Sequence, residues 1–450
     1  MRKKRITQTS IFQTDYVDHE IGRELAAISA WLDDQPRWLD RVAKDLSPSG
    51  RSTFGREGVS VETVLRCAIL KQYRQVGYRE LVFLLKDSRS FQHFVRLDPL
   101  KVPEKSALQG LISRISADTW ESMNQALIKL AQMAGVEQGQ RIRFDATVTE
   151  THILSPTDSR LLLDGVRVMV RLLKQAEERL GGKSIIFSNH LRVAKRRHRA
   201  IRSARTAKRR AVLYQDLLDA VARTLDYLEQ AQAKVAADPE AVWRLAWRAQ
   251  ADHYRGLIGQ VIDQTQRRVF LGETVPAGDK VVSLFEPHTD IILKGGREVE
   301  YGHKVTLSTG TSGLVLDAVI EAGNPPDTQC LLPMLERHIK QHGKAPKDLA
   351  TDGGYASLDN LNKAKGLGVH NVAFHKKKGL SIEAMTGQRW LYYKLKRFRA
   401  GIEAGISYLK RCFGLSRCIW KGLAHYKAYV WSNIFTHNLI VLGRLRSAPT

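Results

Sequence analysis

The segment Leu349-Ala350-Thr351-Asp352-Gly353-Gly354-Tyr355-Ala356 decides how we interpret the fold of this chain. A short apolar run ends in an acid, two glycines follow, and a helical pattern begins at about Ser357. This order predicts a buried strand, a tight turn and a helix. Open α/β sheets bind ligands at the carboxyl ends of their strands, where Asp352 is expected. Paired glycines would let a phosphate approach the backbone there. An ordinary Asp-Gly-Gly turn is the alternative, so the interpretation depends on acids elsewhere in the chain.

The composition indicates a polyanionic partner. The 450 residues include 71 Lys and Arg against 46 Asp and Glu, which gives a formal charge of +25. Such an excess predicts nucleic acid first and an anionic membrane surface second. No apolar run reaches the roughly 18 residues of a membrane span, and no apolar run of a secretory signal follows the basic start. The scattered cysteines are expected to be free thiols in a reducing cytoplasm: Cys67, Cys330, Cys412 and Cys418.

The first third of the chain has helical patterns. We expect residues 1–18 to form a basic disordered tail and residues 19–135 to form a helical DNA-binding domain. Apolar residues recur at helical spacing from Ser60 to Leu97, and Gly77 marks a turn between two short helices. This arrangement is typical of a helix-turn-helix. A plain helical bundle with solvated charges is the alternative.

Strand and helix patterns alternate in the rest of the chain. Strict alternation over Arg141–Val148 predicts a strand, and this strand carries Asp145 although strand interiors disfavour Asp. Residues 156–274 are expected to form a basic helical insertion. After it the order is strand, strand, helix, strand, helix, strand, helix. Residues 140–155 and 275–450 are therefore predicted to form one mixed α/β domain.

The insertion contains a strongly basic block. Residues 192–210 include ten Lys or Arg and no acid. Because like charges at this density repel one another unless an anion neutralises them, we predict contact with DNA through Arg192, Lys195, Arg196 and Arg199. A solvated, flexible surface is the alternative.

A third acid lies on the helix predicted from Lys394 to Phe413. Arg399, Glu403 and Lys410 are separated by four and seven residues, which places them along one face of that helix. A solvated helix with an Arg–Glu pair is the alternative for this pattern.

Convergence of Asp145, Asp352 and Glu403 would form a site for divalent ions. In a ribonuclease-H-like sheet the first and fourth strands are neighbours, and the helix after the fifth strand packs across them. Mg²⁺ takes oxygen ligands, and two ions roughly 3.5–4 Å apart can stabilise an in-line phosphoryl displacement. Bound cations also remove the repulsion among three carboxylates. A cluster of three carboxylates therefore fits ions of this kind.

Basic side chains near these acids are predicted to hold DNA phosphates. Arg399 would do so by a bidentate fork and Lys410 as a point charge. Lys376 and Lys377 follow the fifth predicted strand and are predicted to contact phosphates as well, with an exposed loop as the alternative.

The acids and their neighbours resemble the motifs of bacterial insertion-sequence DDE transposases. Arg399-x3-Glu403-x6-Lys410 matches the signature around the catalytic glutamate of that family. The family signature normally has a tyrosine three positions before the arginine, and here that position is Lys396, which puts any role of the tyrosine in doubt.

Two further segments extend the resemblance. Residues 351–355 look like the segment around the family's second aspartate, and residues 144–147 with 155–159 are similar to the segment around its first. The similarity covers most of residues 55–440, is weakest over residues 160–270, and is closest to the ISNCY group.

The resemblance implies a transposase with a ribonuclease-H-like catalytic core. It implies that Asp145, Asp352 and Glu403 are catalytic acids that bind two Mg²⁺ ions, or Mn²⁺ in their place. With these acids the enzyme would cut at transposon ends, and the freed 3′-hydroxyl would attack target DNA. It also implies double-stranded DNA partners, namely terminal inverted repeats and a target. A homodimer or higher assembly, no membrane, and a bacterial cytoplasm close to the nucleoid are expected. A metal-dependent nuclease without strand transfer and a catalytically silent DNA-binding protein are the alternatives.

Overall fold

The protein forms two compact units. The structure is a computed structural model that describes residues 4, 16–47, 58–98, 101–182, 184–236, 242–294, 298–376 and 378–447. Unit one comprises residues 1–152 and 303–450, and unit two comprises residues 153–302. Most of the predicted tail, residues 1–18, lies outside the described residues.

The mixed sheet has seven strands among the described residues, and the first of them was predicted from its strict alternation. The strands are β1 (Arg141–Thr151), β2 (Asp290–Lys294), β3 (Glu298–Thr309), β4 (Val315–Ile320), β5 (Asp348–Thr351), β6 (Asn371–Phe374) and β7 (Arg417–Cys418). In β1, Ile142, Phe144 and Val148 are buried as the alternating pattern predicts. The edge strand β2, which pairs with residues 298–302 of β3 inside unit two, was not predicted.

The strand order of unit one is that of a ribonuclease-H-like sheet. β3 lies next to β1, β1 next to β5, and β5 next to β6, while β4 pairs with β3. β1 and β5 run parallel, with Arg141 opposite Asp348 and Phe144 opposite Thr351. Asp145 follows Phe144, and Asp352 follows Thr351, the residue paired with Phe144. Because both strands run in the same direction, the two aspartates lie at the same level of neighbouring strands. The predicted fold class is confirmed.

Helices surround this sheet. The amino-terminal helices are α1 (Glu20–Asp33), α2 (Arg37–Leu46), α3 (Val61–Arg74), α4 (Tyr78–Asp87), α5 (Arg89–Val95), α6 (Lys105–Ile112) and α7 (Ala117–Met133). The later ones in unit one are α12 (Asp327–His342), α13 (Leu358–Gly366), α14 (Ile382–Thr386), α15 (Arg389–Cys412) and α16 (Leu423–Ser447). Several begin at a hydroxyl that accepts a hydrogen bond from the backbone three residues later, as at Ser60, Ser116 and Ser357.

The helix α16 ties the amino-terminal helices to the sheet. It packs on α1, α3 and α7, and all of them share one hydrophobic core with β1, β3, β4 and β5. The Asn438 side chain accepts from the Val315 backbone N–H (2.9 Å) and donates to the Val315 carbonyl (2.8 Å), as a neighbouring strand would. The start of β4 therefore has its hydrogen bonds satisfied by a helix side chain.

Unit two is mainly helical and has its own core. Its helices are α8 (Asp158–Arg179), α9 (Leu191–Ser203), α10 (Ala207–Ala236) and α11 (Val242–Val269). Leu217, Val221 and Leu228 are buried along α10, as their spacing by four and seven residues predicts. All four helices lie within residues 156–274, for which a basic helical insertion was predicted. Among the described residues of both units, none of the helices combines the length and the apolarity that a membrane crossing requires.

The helix-turn-helix pattern corresponds to α3 and α4, but α3 is not a surface helix. Every residue from Val61 to Gln72 is buried, so its polar side chains serve internal contacts. The left-handed residue of the turn is Gln75, with a φ of 51°. Gly77, which we expected to make the turn, has extended backbone instead. The exposed surface of this motif is therefore carried by α4.

The buried amine of Lys71 is expected to make unfolding pH-dependent. Its Nζ lies 5.0 Å from the ring centroid of Tyr78 and 5.7 Å from that of Trp420. Burial lowers the pKa of Lys71 to about 8, against about 10.4 in an unfolded chain. The unfolded state therefore binds this proton more tightly, and protonation below pH 8 opposes folding by up to about 3 kcal/mol, part of which the ring faces offset.

We expect Lys71→Met to raise the midpoint of thermal unfolding at pH 7. The gain should shrink as the pH rises from 8 towards 10, because the wild-type amine is then neutral in the folded state. Thermal melts across this range measure the difference, and the exposed Lys86→Met serves as control. A gain that is independent of pH would contradict the assignment.

Candidate active site

The three predicted acids are held by three different elements of unit one. Asp145 lies in β1, Asp352 directly follows β5, and Glu403 lies in the middle of α15. The helix α15 packs on both β1 and β5. The first and fourth predicted strands correspond to β1 and β5. The helix therefore packs across them as predicted.

One guanidinium group lies among the three carboxylates. Arg399 Nη2 is 3.0 Å from Asp145 Oδ2 and 3.9 Å from Asp352 Oδ1, and Arg399 Nη1 is 2.6 Å from Glu403 Oε1. The structure thus brings together Asp145, Asp352 and Glu403, which are up to 258 positions apart in sequence. Sequence reasoning placed Arg399 beside Glu403 and did not foresee its contact with the two aspartates.

Exposure increases across the cluster from the arginine outwards. The side chain of Arg399 is 9% exposed and that of Asp145 17%, whereas Asp352 is 41% and Glu403 63% exposed. Asp145 Oδ1 also accepts from the Ala146 backbone N–H at 2.8 Å. The arginine and Asp145 therefore form the floor of the cluster, and the other two acids face solvent.

The donor set suits a hard divalent cation. It offers only carboxylate oxygens, which Mg²⁺ and Mn²⁺ accept readily, and a cationic group already lies among them. Within the described ranges, no group of three or more His, Cys, Asp or Glu side chains is arranged so that it could hold a metal ion. The carboxylates are arranged around the positively charged guanidinium of Arg399.

The two glycines after Asp352 make room for protein side chains. A Cβ on Gly353 would lie 2.7 Å from the Cβ of Lys376, and a Cβ on Gly354 would lie 2.3 Å from Asp327 Oδ2. We expected these glycines to admit a phosphate. In the structure the space that their missing side chains leave is occupied by Lys376 and Asp327.

A buried tyrosine lies beneath this turn. Tyr355 is fully buried, and its hydroxyl has no hydrogen-bond partner among the described residues. Burial raises the pKa of Tyr355 well above its ordinary value, and the nearby negative charges of Asp327 and Asp145 raise it further. The hydroxyl therefore stays protonated and contributes no charge to the cluster.

Two basic residues that sequence reasoning did not select support the site. The Arg143 guanidinium lies 4.5 Å from the ring centroid of Phe398, donates to the Phe398 carbonyl (2.5 Å) and donates to Thr309 Oγ1 (2.9 Å). It fixes α15 to β1 and β3. Lys304 pairs with Asp327 and donates to the Pro325 carbonyl at 2.7 Å. The position of Arg143 two residues before Asp145, on the same strand face, is the signal that could have identified it.

The predicted DNA-binding residues are distributed over both units. Lys410 is half-buried on α15, and Lys376 is exposed beside the turn that carries Asp352. Lys377 lies outside the described residues. In unit two, Arg192, Lys195, Arg196 and Arg199 are all exposed on α9, while Ala194, His198 and Ile201 on the same helix are buried.

Comparison with protein families identifies two domains. A model described as a transposase DDE domain matches residues 288–439, which include Asp352 and Glu403 but not Asp145. A model described as a transposase domain (DUF772) matches residues 15–114. No curated protein and no solved structure gives a match.

A ribonuclease-H-like sheet and two transposase domains define a DNA-transposing enzyme of the DDE class. The chain belongs to the DDE transposases of insertion sequences. It is a metal-dependent enzyme that acts on DNA. Neither model names the ISNCY group, so that finer assignment stays a prediction.

Proposed function

We propose that Asp145, Asp352 and Glu403 are the catalytic acids of this transposase. They would hold two Mg²⁺ ions, or Mn²⁺ in their place, during cleavage at the transposon ends and strand transfer into target DNA. The observation that supports this most strongly is that all three carboxylates contact or approach one guanidinium. Three carboxylates this close repel one another unless a cation lies among them.

The chain's own residues would bind and orient the DNA backbone around these acids. When bound, the ions would polarise the phosphoryl oxygens and stabilise the attacking and leaving oxygens of the displacement. Lys376 lies beside the turn that carries Asp352, and Lys410 lies on α15, which carries Glu403. From these positions the two lysines would hold phosphates next to the acids. Arg399 would add a bidentate phosphate contact, and Lys377 is proposed for the same role from its place in the sequence.

Cleavage of labelled terminal-repeat DNA tests this function. We expect strand cleavage and joined products with Mg²⁺ and neither with EDTA. Cleavage without joining, under conditions that allow two ends to meet, would favour a nuclease over a transposase. Binding without cleavage in Mg²⁺ and in Mn²⁺ would favour a silent DNA-binding protein.

The exposed face of α4 is our candidate for reading the terminal repeats. Arg79, Phe83 and Lys86 are exposed and lie at helical spacing along one face, and Phe83 is an apolar side chain that is 62% exposed. Such a face offers both a hydrogen-bonding fork for guanine and an apolar contact for the thymine methyl group.

We expect Arg79→Ala and Phe83→Ala each to weaken binding to terminal-repeat DNA by about 5- to 150-fold, which corresponds to ~1–3 kcal/mol. Binding to unrelated DNA should change much less. Fluorescence anisotropy with both duplexes measures the ratio, and Lys105→Ala, an exposed residue of α6, is the control. Equal losses on both duplexes would show that α4 contacts only the backbone.

The basic face of α9 is proposed to contact DNA phosphates without reading sequence. The buried stripe of Ala194, His198 and Ile201 fixes which side of this helix faces inwards, so Arg192, Lys195, Arg196 and Arg199 point outwards. Arg197 is excluded from this set because it pairs with Asp216 at 3.0 Å.

We expect the double variant Arg196→Gln/Arg199→Gln to lower the salt dependence of DNA binding. Two lost phosphate contacts reduce the slope of log K against log [salt] by about 1.8. Titrations at several salt concentrations give the slope. The matched control, Lys363→Gln/Lys365→Gln on α13, removes the same charge from exposed positions and should leave the slope unchanged. An equal change in both variants would indicate a general charge effect.

A homodimer or higher assembly on DNA is also proposed, because two transposon ends have to be brought together for transfer. Measuring the mass of the protein with and without DNA that carries both transposon ends tests this. A complex in which a single protein molecule holds both ends would contradict the proposal.

A further inference from the structure

The contacts of Arg399 match the role of a counter-ion better than that of a side chain waiting for DNA. Both of its terminal nitrogens are engaged with carboxylates, and its side chain is 9% exposed. A guanidinium in this position cannot at the same time present its fork to a phosphate in solvent.

The same arrangement leaves the arginine incompletely satisfied. Its Nε is buried and has no hydrogen-bond partner within the part of the chain that the structure describes, although a buried N–H normally has one. Asp352 is only at ion-pair distance, 3.9 Å, from Nη2. The guanidinium is therefore shared among three acids and forms a two-point fork with none of them.

Charge explains why the cluster is stable without a metal. Three carboxylates at close range repel one another, and one guanidinium offsets a third of that charge. A divalent ion offsets more and accepts several oxygens at once. Arginine and ion thus compete for the same oxygens of Asp145, Asp352 and Glu403.

We infer that Arg399 is a built-in counter-cation that holds the acids together in the metal-free protein and is displaced when a divalent ion binds. The inference rests on the proposed function, because it takes the three acids as the metal ligands. Arg399 is then a positioning residue with two opposite effects. It stabilises the metal-free fold, and it lowers the affinity for the metal. Once displaced, its fork is available to a DNA phosphate.

The test compares Arg399→Gln with wild type in the absence of DNA. Mn²⁺ affinity is measured from the electron paramagnetic resonance signal of the free ion, and stability from thermal melts in EDTA. We expect Arg399→Gln to melt at a lower temperature in EDTA and to gain more from Mn²⁺ in melting temperature. We also expect it to bind Mn²⁺ about 5- to 150-fold more tightly, a change of the size usual for a coupling free energy.

Two further variants make the outcomes distinct. Arg397→Gln removes an exposed neighbouring charge and should match wild type. Arg399→Lys keeps the charge but not the planar fork, so it should bind Mn²⁺ more tightly than wild type and less tightly than Arg399→Gln; it serves as the test if the glutamine variant does not fold.

If both Arg399 variants bind Mn²⁺ as tightly as wild type or more weakly, while Asp352→Asn abolishes binding, the inference is overturned and the proposed site is retained. Unchanged Mn²⁺ binding in Asp352→Asn would overturn the proposed site itself.

Discussion

Replacing Asp145 or Asp352 with asparagine is expected to lower the rate of DNA cleavage by about 10³-fold or more, which corresponds to ~4 kcal/mol of transition-state stabilisation. Asparagine keeps the shape of the side chain but removes the negative charge that a divalent ion requires. Single-turnover cleavage of terminal-repeat DNA with saturating Mg²⁺ measures the rate. Affinity for DNA should be retained or increase slightly, because a negative charge near the phosphates has been removed.

The acids should behave as one unit. The double variant Asp145→Asn/Asp352→Asn should be scarcely slower than either single variant, because residues that act together are not additive. Asp359→Asn and Glu383→Gln remove exposed acids from α13 and α14 and are the matched controls. A variant of Asp352 that cleaves at the wild-type rate would refute the assignment.

Removing the guanidinium of Arg66 is expected to destabilise unit one by about 3–5 kcal/mol. Arg66 is 1% exposed. Its Nε lies 3.1 Å from Glu62 Oε1, its Nη2 lies 2.7 Å from Asp33 Oδ1, and its Nη1 donates to Ser29 Oγ at 2.8 Å. In Arg66→Met the buried carboxylate of Glu62 would lose one of its two cationic partners. Denaturant unfolding of the full chain measures the loss.

A second substitution separates charge from packing. Glu62→Leu/Arg66→Met removes the buried carboxylate together with the guanidinium that it pairs with, and Arg96, the second partner of Glu62, still pairs with Asp33 at 2.5 Å. We expect this double variant to recover most of the stability. Arg74→Met, at an exposed position of α3, is the control. A double variant that is less stable than Arg66→Met would show that shape, and not the uncompensated charge, dominates at this position.

The sheet and its acids were accessible from the sequence because their signals are local. The alternation in β1 identifies a strand whose polar face carries Asp145 between Arg143 and Thr147. The order of an apolar run, an acid and two glycines identifies the end of β5 and the turn after it. The strand order then follows from the ribonuclease-H-like layout, and the parallel pairing of β1 with β5 agrees with it.

Other features depend on contacts between distant residues and leave little local trace. Arg399 and Glu403 are one helical turn apart, so their pairing is visible in sequence, whereas the contact of Arg399 with Asp145 joins residues 254 positions apart. The burial of α3 was likewise hidden, because Arg66 and Lys71 look like solvent-exposed residues until their internal partners are known. The short edge strand β2 carries too few residues to establish a period.

Domain boundaries were the least accessible property. Residues 19–135 have the pattern of an independent helical domain, yet their apolar side chains share a hydrophobic core with the sheet, partly through Trp38 and Trp120, whose rings lie 5.4 and 5.6 Å from that of Phe435. A pattern of apolar residues indicates that one face of a helix is buried. It does not indicate which element packs against that face. The four predicted domain ranges therefore stay predictions.

Iron-mediated mapping tests the central claim most directly. Fe²⁺ bound in place of Mg²⁺ and treated with ascorbate and peroxide generates hydroxyl radicals that cut the polypeptide close to the ion. We expect cuts near Asp145, Asp352 and Glu403 together, suppressed by excess Mg²⁺ and absent in Asp352→Asn. Cuts at only one of these positions, or a pattern that persists unchanged in Asp352→Asn, would contradict the claim that these three acids share divalent ions.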